Sequence, residues 1–331
     1  MITPGWPTKS NPNSSPFIVR QYESLIKHGI DVTVFNFKGN KNPANYILAL
    51  AKIQIILRRN NYDLIHAQWG HTALLTLNTQ LPLVVTYRGM DLEGIINKNG
   101  KYSIYGKFLT RISKFTSTIA DEVIVVSKSL GNKLSRQDYT ILPSGIDLNL
   151  FKPLNKSECR TTLKLPQNKK LILFAASRNH PRKRYDLAMK AVSILKQNFN
   201  CELIVCENEK PDKVPLYMNA ADCLILTSLH EGSPNVVKEA LACNTPIVSV
   251  EVGDIKERKG RLKHFEICNS NPKKIADSLS RVLSNKNVIN NRESVLHLDE
   301  DIITSKLIAI YHKAINNNQK HTQKHQDNNG V

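Results

Sequence analysis

Two carboxylates with seven residues between them stand in the stretch Cys223-Leu-Ile-Leu-Thr-Ser-Leu-His-Glu231-Gly-Ser-Pro-Asn-Val-Val-Lys-Glu239-Ala-Leu-Ala-Cys-Asn-Thr-Pro246-Ile-Val-Ser-Val. The stretch reads as strand, loop, helix and strand. Ser233 suits an N-cap, and Pro234 suits the first helical position, where a missing N–H costs nothing. The N–H groups of Asn235 and Val236 then point into the loop, and a helix N-terminus of this kind attracts a phosphate. Glu231 falls at the carboxyl end of a strand, where open α/β sheets bind ligands. Glu239 falls in the second helical turn. With a phosphate between them, the two acids could reach hydroxyls on either side of it. As isolated residues they would be a loop Glu and a solvated helix Glu. The Gly-Ser-Pro between them and the apolar strand before them favour a site.

A second constellation, Ala175-Ala-Ser-Arg178-Asn-His-Pro-Arg182-Lys183-Arg184-Tyr-Asp186, also follows an apolar strand and precedes a helix. Arg178 and Lys183 are expected on the same sheet edge as Glu231, where they would neutralise a diphosphate. A solvated basic loop or a nucleic-acid patch is the alternative.

These loops need a scaffold that sets them side by side. Short β-branched runs alternate with helical patterns, the rhythm of parallel α/β sheets. Strands are expected at residues 31–37, 64–67, 83–86, 122–126 and 140–142, and again at 171–176, 202–205, 223–227 and 247–250. Helices are expected at 17–28, 44–60, 105–119, 185–197, 214–220, 235–243 and 272–283. The pattern restarts once, giving a domain over 1–152 and a second over 153–296. An amphipathic helix follows at 297–315, then a polar tail over 316–331 expected to be disordered. Only Met1 and Ile2 precede the turn at Thr3-Pro4-Gly5, so the first strand is either a stub or truncated, with truncation the favoured reading.

The 331 residues carry 46 Lys and Arg against 28 Asp and Glu, a net charge of +18. That charge suits nucleic acid, an anionic membrane surface or a phosphorylated substrate. No RNA-reading or helix-turn-helix pattern accompanies it, so nucleic acid is not an expected partner. No apolar run approaches the ~18 residues of a spanning helix, and no secretory leader is evident. A cytoplasmic protein is therefore expected. The six cysteines form no Cys-x-x-Cys pair, so structural thiols are expected and no metal site.

Taken together, these residues resemble the family 4 glycosyltransferases, whose signature is Glu, seven residues, Glu in this strand–loop–helix setting. Further pieces extend the resemblance over nearly the whole chain: Thr3-Pro4-Gly5-Trp6-Pro7, Thr86-Tyr-Arg88-Gly89-Met-Asp91, Ala120-Asp121 through Ser127, and Leu142-Pro-Ser-Gly145-Ile-Asp147. The resemblance implies the GT-B architecture, two Rossmann-like doubly wound domains facing a central cleft. The nucleotide-sugar would be held mainly by the second domain. By position, Glu231 would contact donor-sugar hydroxyls, Glu239 the ribose, and Arg178 and Lys183 the diphosphate. The backbone at Gly232, Ser233, Pro234, Asn235 and Val236 would cradle phosphate and sugar. Gly5, Arg88 and Asp91 would lie on the acceptor side. Family members retain anomeric configuration and use neither metal nor cofactor, and many act on lipid-linked glycans at the inner membrane leaflet. The implied function is glycosyl transfer from a nucleotide-diphosphate sugar to a glycan or lipid-linked acceptor in bacterial surface polysaccharide synthesis. A nucleotide-sugar epimerase and a transfer-deficient binding protein are the alternatives.

Three positions depart from the family pattern. Arg88 stands where His is frequent, Asn13-Ser14-Ser15-Pro16 replaces a Gly-rich loop, and Arg184 stands where Gly usually follows the Lys. Arg184 is expected to add charge at the diphosphate. The segment from Tyr105 to Thr116 places apolar residues at helical spacing beside Lys107, Arg111 and Lys114. Such a helix suits core packing or peripheral contact with an anionic membrane.

Overall fold

The computed structural model describes all residues except 10, 13, 40, 41, 98, 99, 261, 286–289 and 329–331, with backbone alone at 43 and 321–328. Asn13 of the expected opening loop therefore lies outside the described residues. The chain divides into two units. One comprises 1–95, 102–145 and 301–331, and the other 96–101 and 146–300.

The first unit holds a six-stranded sheet in the order β2-β1-β3-β4-β5-β6. Its strands are β1 (Ile2–Thr3), β2 (Phe35–Asn36), β3 (Ile65–Gln68), β4 (Leu83–Tyr87), β5 (Glu122–Val125) and β6 (Thr140–Ile141). All pairings are parallel. β1 is a two-residue stub that pairs with both neighbours, Ile2 with Phe35 and with Ala67. It offers only two positions for pairing, so the long strand expected at 31–37 shrinks to Phe35–Asn36. Helices α1 (Pro16–Lys27), α2 (Pro43–Arg59) and α3 (Ile104–Ile119) connect the strands, and a 3-10 turn, Gly70–Thr76, follows β3.

α3 packs inward on one face, as the core-packing reading requires, but does so with mostly small side chains. Its buried residues are Gly106, Leu109, Ser113, Thr116 and Ser117, most of them small. The cause is close approach to Gly70, where a Cβ would meet the Tyr87 ring at 2.4 Å and Ser113 Cβ at 2.7 Å. Thr116 Oγ1 donates to Gly70 O at 2.9 Å, and Tyr87 Oη donates to Ser113 O at 2.8 Å. Only small side chains fit at that distance, so Ile104, Phe108 and Phe115 are left exposed.

The second unit holds a five-stranded parallel sheet in the order β11-β10-β9-β7-β8. Its strands are β7 (Lys170–Phe174), β8 (Cys201–Val205), β9 (Cys223–Leu226), β10 (Ile247–Val250) and β11 (Phe265–Cys268). The edge strand β11 was not expected from sequence. Helices α4 (Tyr185–Leu195), α5 (Val214–Ala220), α6 (Asn235–Ala242) and α7 (Pro272–Ser284) complete it. Strands here read as continuous apolar runs because both faces are covered; β9 and β10 are buried throughout. Asp222 fixes the register where β7 meets β9: Leu171 N–H donates to its Oδ2 at 2.7 Å, and Arg160 Nη2 contacts the same oxygen at 2.6 Å.

Counted within each unit, the first sheet runs second strand, first, third, fourth, fifth, sixth and the other second, first, third, fourth, fifth, so both are doubly wound. The chain order reverses between β1 and β3 in one sheet and between β7 and β9 in the other. Ligands of such sheets bind at the carboxyl ends of the strands beside that reversal.

The last helix corrects two expectations. α8 runs Glu300–Asn328, so residues 316–328 are helical and not a disordered tail. No Pro or Gly interrupts the run before Gly330, and Gln and Lys are good helix formers. It also belongs to the first unit and not to a module of its own. Tyr311 Oη lies 2.6 Å from Nδ1 of buried His66 on β3, Thr304 Oγ1 donates to Ser24 Oγ at 2.8 Å, and Lys313 bridges Glu122 at 2.8 Å. Residues 146–300 thus separate two parts of one compact unit.

Candidate functional site

In the second unit the reversal point gathers the loop after β7, the loop after β9 and the loop after β10. The first contains a 3-10 turn, Pro181–Lys183. That turn brings two cations to Glu231: Lys183 Nζ lies 2.6 Å from Oε1, and Arg182 Nη1 lies 2.6 Å from Oε2. Arg182 Nη1 also donates to His230 O at 2.9 Å.

All three side chains are largely buried, and their ionisation follows from their neighbours. Burial alone would raise the Glu231 pKa, but Lys183 and Arg182 outweigh it and hold the carboxyl at about 2. Lys183 is lowered from the ordinary lysine value, by burial first and by Arg182 beside it, while Glu231 works in the opposite sense. Glu231 is thus a carboxylate across the whole range in which the protein would work.

The loops are tied to each other. Thr227 Oγ1 donates to Lys183 O at 2.8 Å, and Leu229 N–H donates to Arg182 O at 2.8 Å. Arg184 corrects an expectation: its guanidinium donates to Thr227 O at 2.6 Å, Ser228 O at 3.1 Å and Ser270 Oγ at 2.9 Å, so it ties loops together and is not presented to a diphosphate. Its φ of 51° lies in the left-handed region that favours Gly, and these three bonds offset the strain. On the other side Gly253, at φ +57°, lets the β10 loop approach; a Cβ there would meet Gly232 O at 2.7 Å.

Ser233 is not the N-cap. α6 begins at Asn235 with Pro234 in the capping position and no side-chain cap. Ser233 Oγ instead donates to Asp254 Oδ2 at 2.8 Å, and Arg258 Nε donates to that same oxygen at 2.7 Å. The negative charge of Asp254 attracts the hydroxyl away from the helix. Asn235 and Val236 retain their place in the opening turn, before Val237 N–H begins the helical bonding on Pro234 O. Glu239 is half-buried one turn further on, and its charge helps burial push the Cys206 thiol, beyond the end of β8, up to about 12.

Arg178 is not brought to Glu231. It is exposed and paired with Glu207, its Nε donating to Oε1 at 2.6 Å and its N–H to Oε2 at 2.8 Å. Arg182, which was not singled out from the sequence, takes the place beside Lys183. The usable signal was Pro181, which favours a tight turn directly before the two cations. Arg182→Ala is accordingly expected to weaken nucleotide binding about tenfold, a charge-assisted hydrogen bond, and Arg178→Ala by less than threefold; isothermal calorimetry with nucleoside diphosphates checks both.

In the first unit, Arg88 follows β4 and is held by side chains: Nε donates to Gln68 Oε1 at 2.8 Å, Nη2 to Gln21 Oε1 at 2.9 Å and Nη1 to Ser144 Oγ at 3.0 Å. Its guanidinium carbon lies 5.0 Å from the Phe17 ring centre, and burial lowers its pKa to about 10. Asp91 accepts from the N–H groups of Arg88, Gly89 and Gly70 at 3.2, 2.9 and 3.2 Å. It therefore shapes the turn after β4. Gly5, after β1, leaves room for Ser15, whose Oγ would lie 2.3 Å from a Cβ. Among the described residues no cluster of His, Cys, Asp and Glu could hold a metal ion, and the six cysteines are unbridged.

With this geometry in view, two family models match the chain: Glycosyltransferase Family 4 over residues 1–150 and Glycosyl transferases group 1 over residues 205–285. The chain belongs to the family 4 glycosyltransferases. A curated relative, a putative teichuronic acid biosynthesis glycosyltransferase of Bacillus subtilis, is 27% identical over 260 residues, covering 71% of this chain and 65% of its own length. The N-acetyl-alpha-D-glucosaminyl L-malate synthase of Bacillus anthracis is 21% identical, covering 77% and 71%. The fold of this chain matches that of sucrose-phosphate synthase from Thermosynechococcus elongatus with a TM-score of 0.75 at 16% identity, over 90% of this chain and 92% of that one. Anabaena HepE, solved in complex with UDP-glucose, aligns with a TM-score of 0.59 at 18% identity, covering 90% and 88%. At these identities the structural likeness concerns the two-domain GT-B fold.

Proposed function

We propose that this chain transfers a sugar from a nucleotide-diphosphate donor to a glycan or lipid-linked acceptor, with retention at the anomeric carbon, in surface-polysaccharide assembly. The observation that carries this is the Lys183–Glu231–Arg182 cluster at the β7/β9 reversal, next to the N-terminus of α6. The bond from the anomeric carbon to the phosphate oxygen breaks, and its electron pair leaves on the diphosphate. Lys183 and Arg182 neutralise that charge as it develops, which is why the reading assigns no role to a metal or cofactor. Lys183 has three N–H donors, one directed at Glu231, so it can serve the carboxylate and a phosphate together. The α6 N-terminus, with Asn235 and Val236, receives the phosphate, and Gly232 admits the ligand close to the backbone.

Glu231, ionised and fixed by two cations, orients donor hydroxyls and supports the cationic anomeric carbon. Glu239 reaches the ribose. On the acceptor side, Arg88 is the residue best placed for a polar contact, and Gly5 and Asp91 shape the loops around it. The acceptor hydroxyl adds to the anomeric carbon from the face the diphosphate leaves, and its proton passes to the departing phosphate. The teichuronic acid relative supports a surface-polysaccharide setting, and the HepE complex supports UDP-sugars as the first series to try.

The test is calorimetry against UDP-, GDP- and ADP-sugars with EDTA present, followed by product analysis with the bound donor. One series is expected to bind and to yield free nucleotide with an extended acceptor. No binding by any series, or a changed nucleotide-sugar without transfer, would overturn the reading.

A further inference from the structure

We propose that Tyr311 of α8 and His66 of β3 are positioning residues that set the guanidinium of Arg88 through Gln68, a role in transfer that rests on the acceptor-side reading of Arg88.

The contacts begin on α8. Ile303, Leu307, Ile310, Tyr311 and Ala314 form its buried stripe, and Lys313 ties the helix to Glu122. Tyr311 is thereby held in register against β3, where its Oη lies 2.6 Å from His66 Nδ1. The other ring nitrogen, Nε2, lies 2.7 Å from Thr86 Oγ1 on β4. Two hydroxyls on opposite nitrogens fix the plane of the ring. Each hydroxyl can donate or accept, so either neutral tautomer satisfies both. Burial, with the charge of Arg88, holds the His66 pKa well below its ordinary value, and the ring stays neutral.

Gln68 stands two residues on, on the same face of the strand. It is fully buried, and its Nε2 lies 3.4 Å from both His66 nitrogens, so the amide rests against the imidazole. That amide has one orientation. Nε2 donates to Gln21 Oε1 at 2.9 Å, while Oε1 accepts from Arg88 Nε at 2.8 Å and Nη2 at 2.5 Å. A flipped amide would turn its N–H groups toward the guanidinium and lose both bonds.

Among the described residues the guanidinium is held by neutral oxygens, those of Gln68, Gln21 and Ser144. The nearby carboxylate, Asp91, accepts from backbone N–H groups instead. Four of the five N–H groups of Arg88 are directed at those neutral oxygens, and the fifth, on Nη1, is left for a substrate hydroxyl. Such a cation is not neutralised by its partners, and its aim depends on where they stand. Apolar side chains of the same shape would pack α8 on β3 with no buried polar groups to satisfy. The polar chain is explained by the cation on which it ends.

The test reads Arg88 directly, by solvent exchange of its Nε–H in full-length protein labelled at arginine, the signal being assigned by its loss in Arg88→Ala. Tyr311→Phe keeps the ring and removes the hydroxyl. It is expected to speed that exchange about tenfold, the scale of one buried hydrogen bond left unmade. The Nε–H of Arg160, which donates to Ala220 O in the second unit, is expected not to change. Thr86→Val unpartners the other ring nitrogen and should act likewise. In transfer assays Tyr311→Phe lowers kcat/KM for the acceptor about tenfold and leaves calorimetric donor affinity within about twofold. In an Arg88→Ala background the same substitution costs less than about twofold, because its effect passes through Arg88. An unchanged Arg88 signal would overturn the proposal, as would equal acceleration at Arg160, which would mean general loosening. So would losses of the same size with and without Arg88. Faster Arg88 exchange together with full transfer in Arg88→Ala would overturn the acceptor-side reading and the transfer role with it, while the placement by Tyr311 would stand.

Discussion

Lys183→Ala is expected to lower kcat/KM by about 10²–10³-fold, the usual consequence of removing one preorganised donor from a developing anion. The argument rests on where Lys183 stands, buried at the β7/β9 reversal and 2.6 Å from Glu231. In the resting protein its charge is balanced by Glu231, so its further value appears only when a diphosphate gains charge. The variant should fold, because Arg182 still holds Glu231 through Oε2 at 2.6 Å. With one cation gone, the Glu231 pKa moves up from about 2 and the group remains ionised at neutral pH. Lys183→Met separates charge from packing, since it keeps most of the volume and none of the charge. Equal losses in Ala and Met variants, in kcat/KM and in calorimetric affinity for the nucleoside diphosphate, would identify the charge as the active feature. Near-normal activity in Lys183→Met would remove Lys183 from the mechanism.

Much of this site was legible because its signals are local. Glu231, Lys183 and the α6 start each sit in a strand–loop–helix context that a few residues define. What could not be read were choices made by neighbours distant in sequence. Arg178 and Arg182 carry the same charge in the same loop. The 3-10 turn at Pro181–Lys183 aims one at Glu231, while Glu207, beyond β8, takes the other. Ser233 looked like a helix cap until Asp254, twenty-one residues on, attracted its hydroxyl. The same limit acts on the fold. The alternation of strands and helices announced two doubly wound sheets, but nothing local in α8 says that it packs against His66 and Glu122. In α3, periodicity revealed a two-faced helix and not which face turns inward; the close contact at Gly70 decides that.

Glu231→Gln combines loss of function with a charge imbalance that can be measured separately. Removing one member of a buried ion pair costs about 3–5 kcal/mol, because the remaining charge stays buried without compensation; here two cations, Arg182 and Lys183, are left together. The pH dependence supports the size and gives the sign. Glu231 has a folded pKa of about 2 against 4.5 for the free group, so it binds its proton less readily folded than unfolded. Its stabilisation is fully present above about pH 4.5 and is lost as pH falls toward 2, amounting to about 3 kcal/mol at 1.36 kcal/mol per pH unit. The difference in Tm between the wild type and Glu231→Gln should therefore be constant from pH 5 to 7, at roughly 10 °C, and shrink on acidification. A nucleoside diphosphate supplies the missing negative charge, so it should raise the Tm of the variant more than that of the wild type, while transfer stays low because the ligand replaces the charge and not the carboxylate's contact with the sugar. Equal ligand shifts in both proteins would mean that the diphosphate does not sit on Lys183 and Arg182, and the donor site would have to be sought elsewhere.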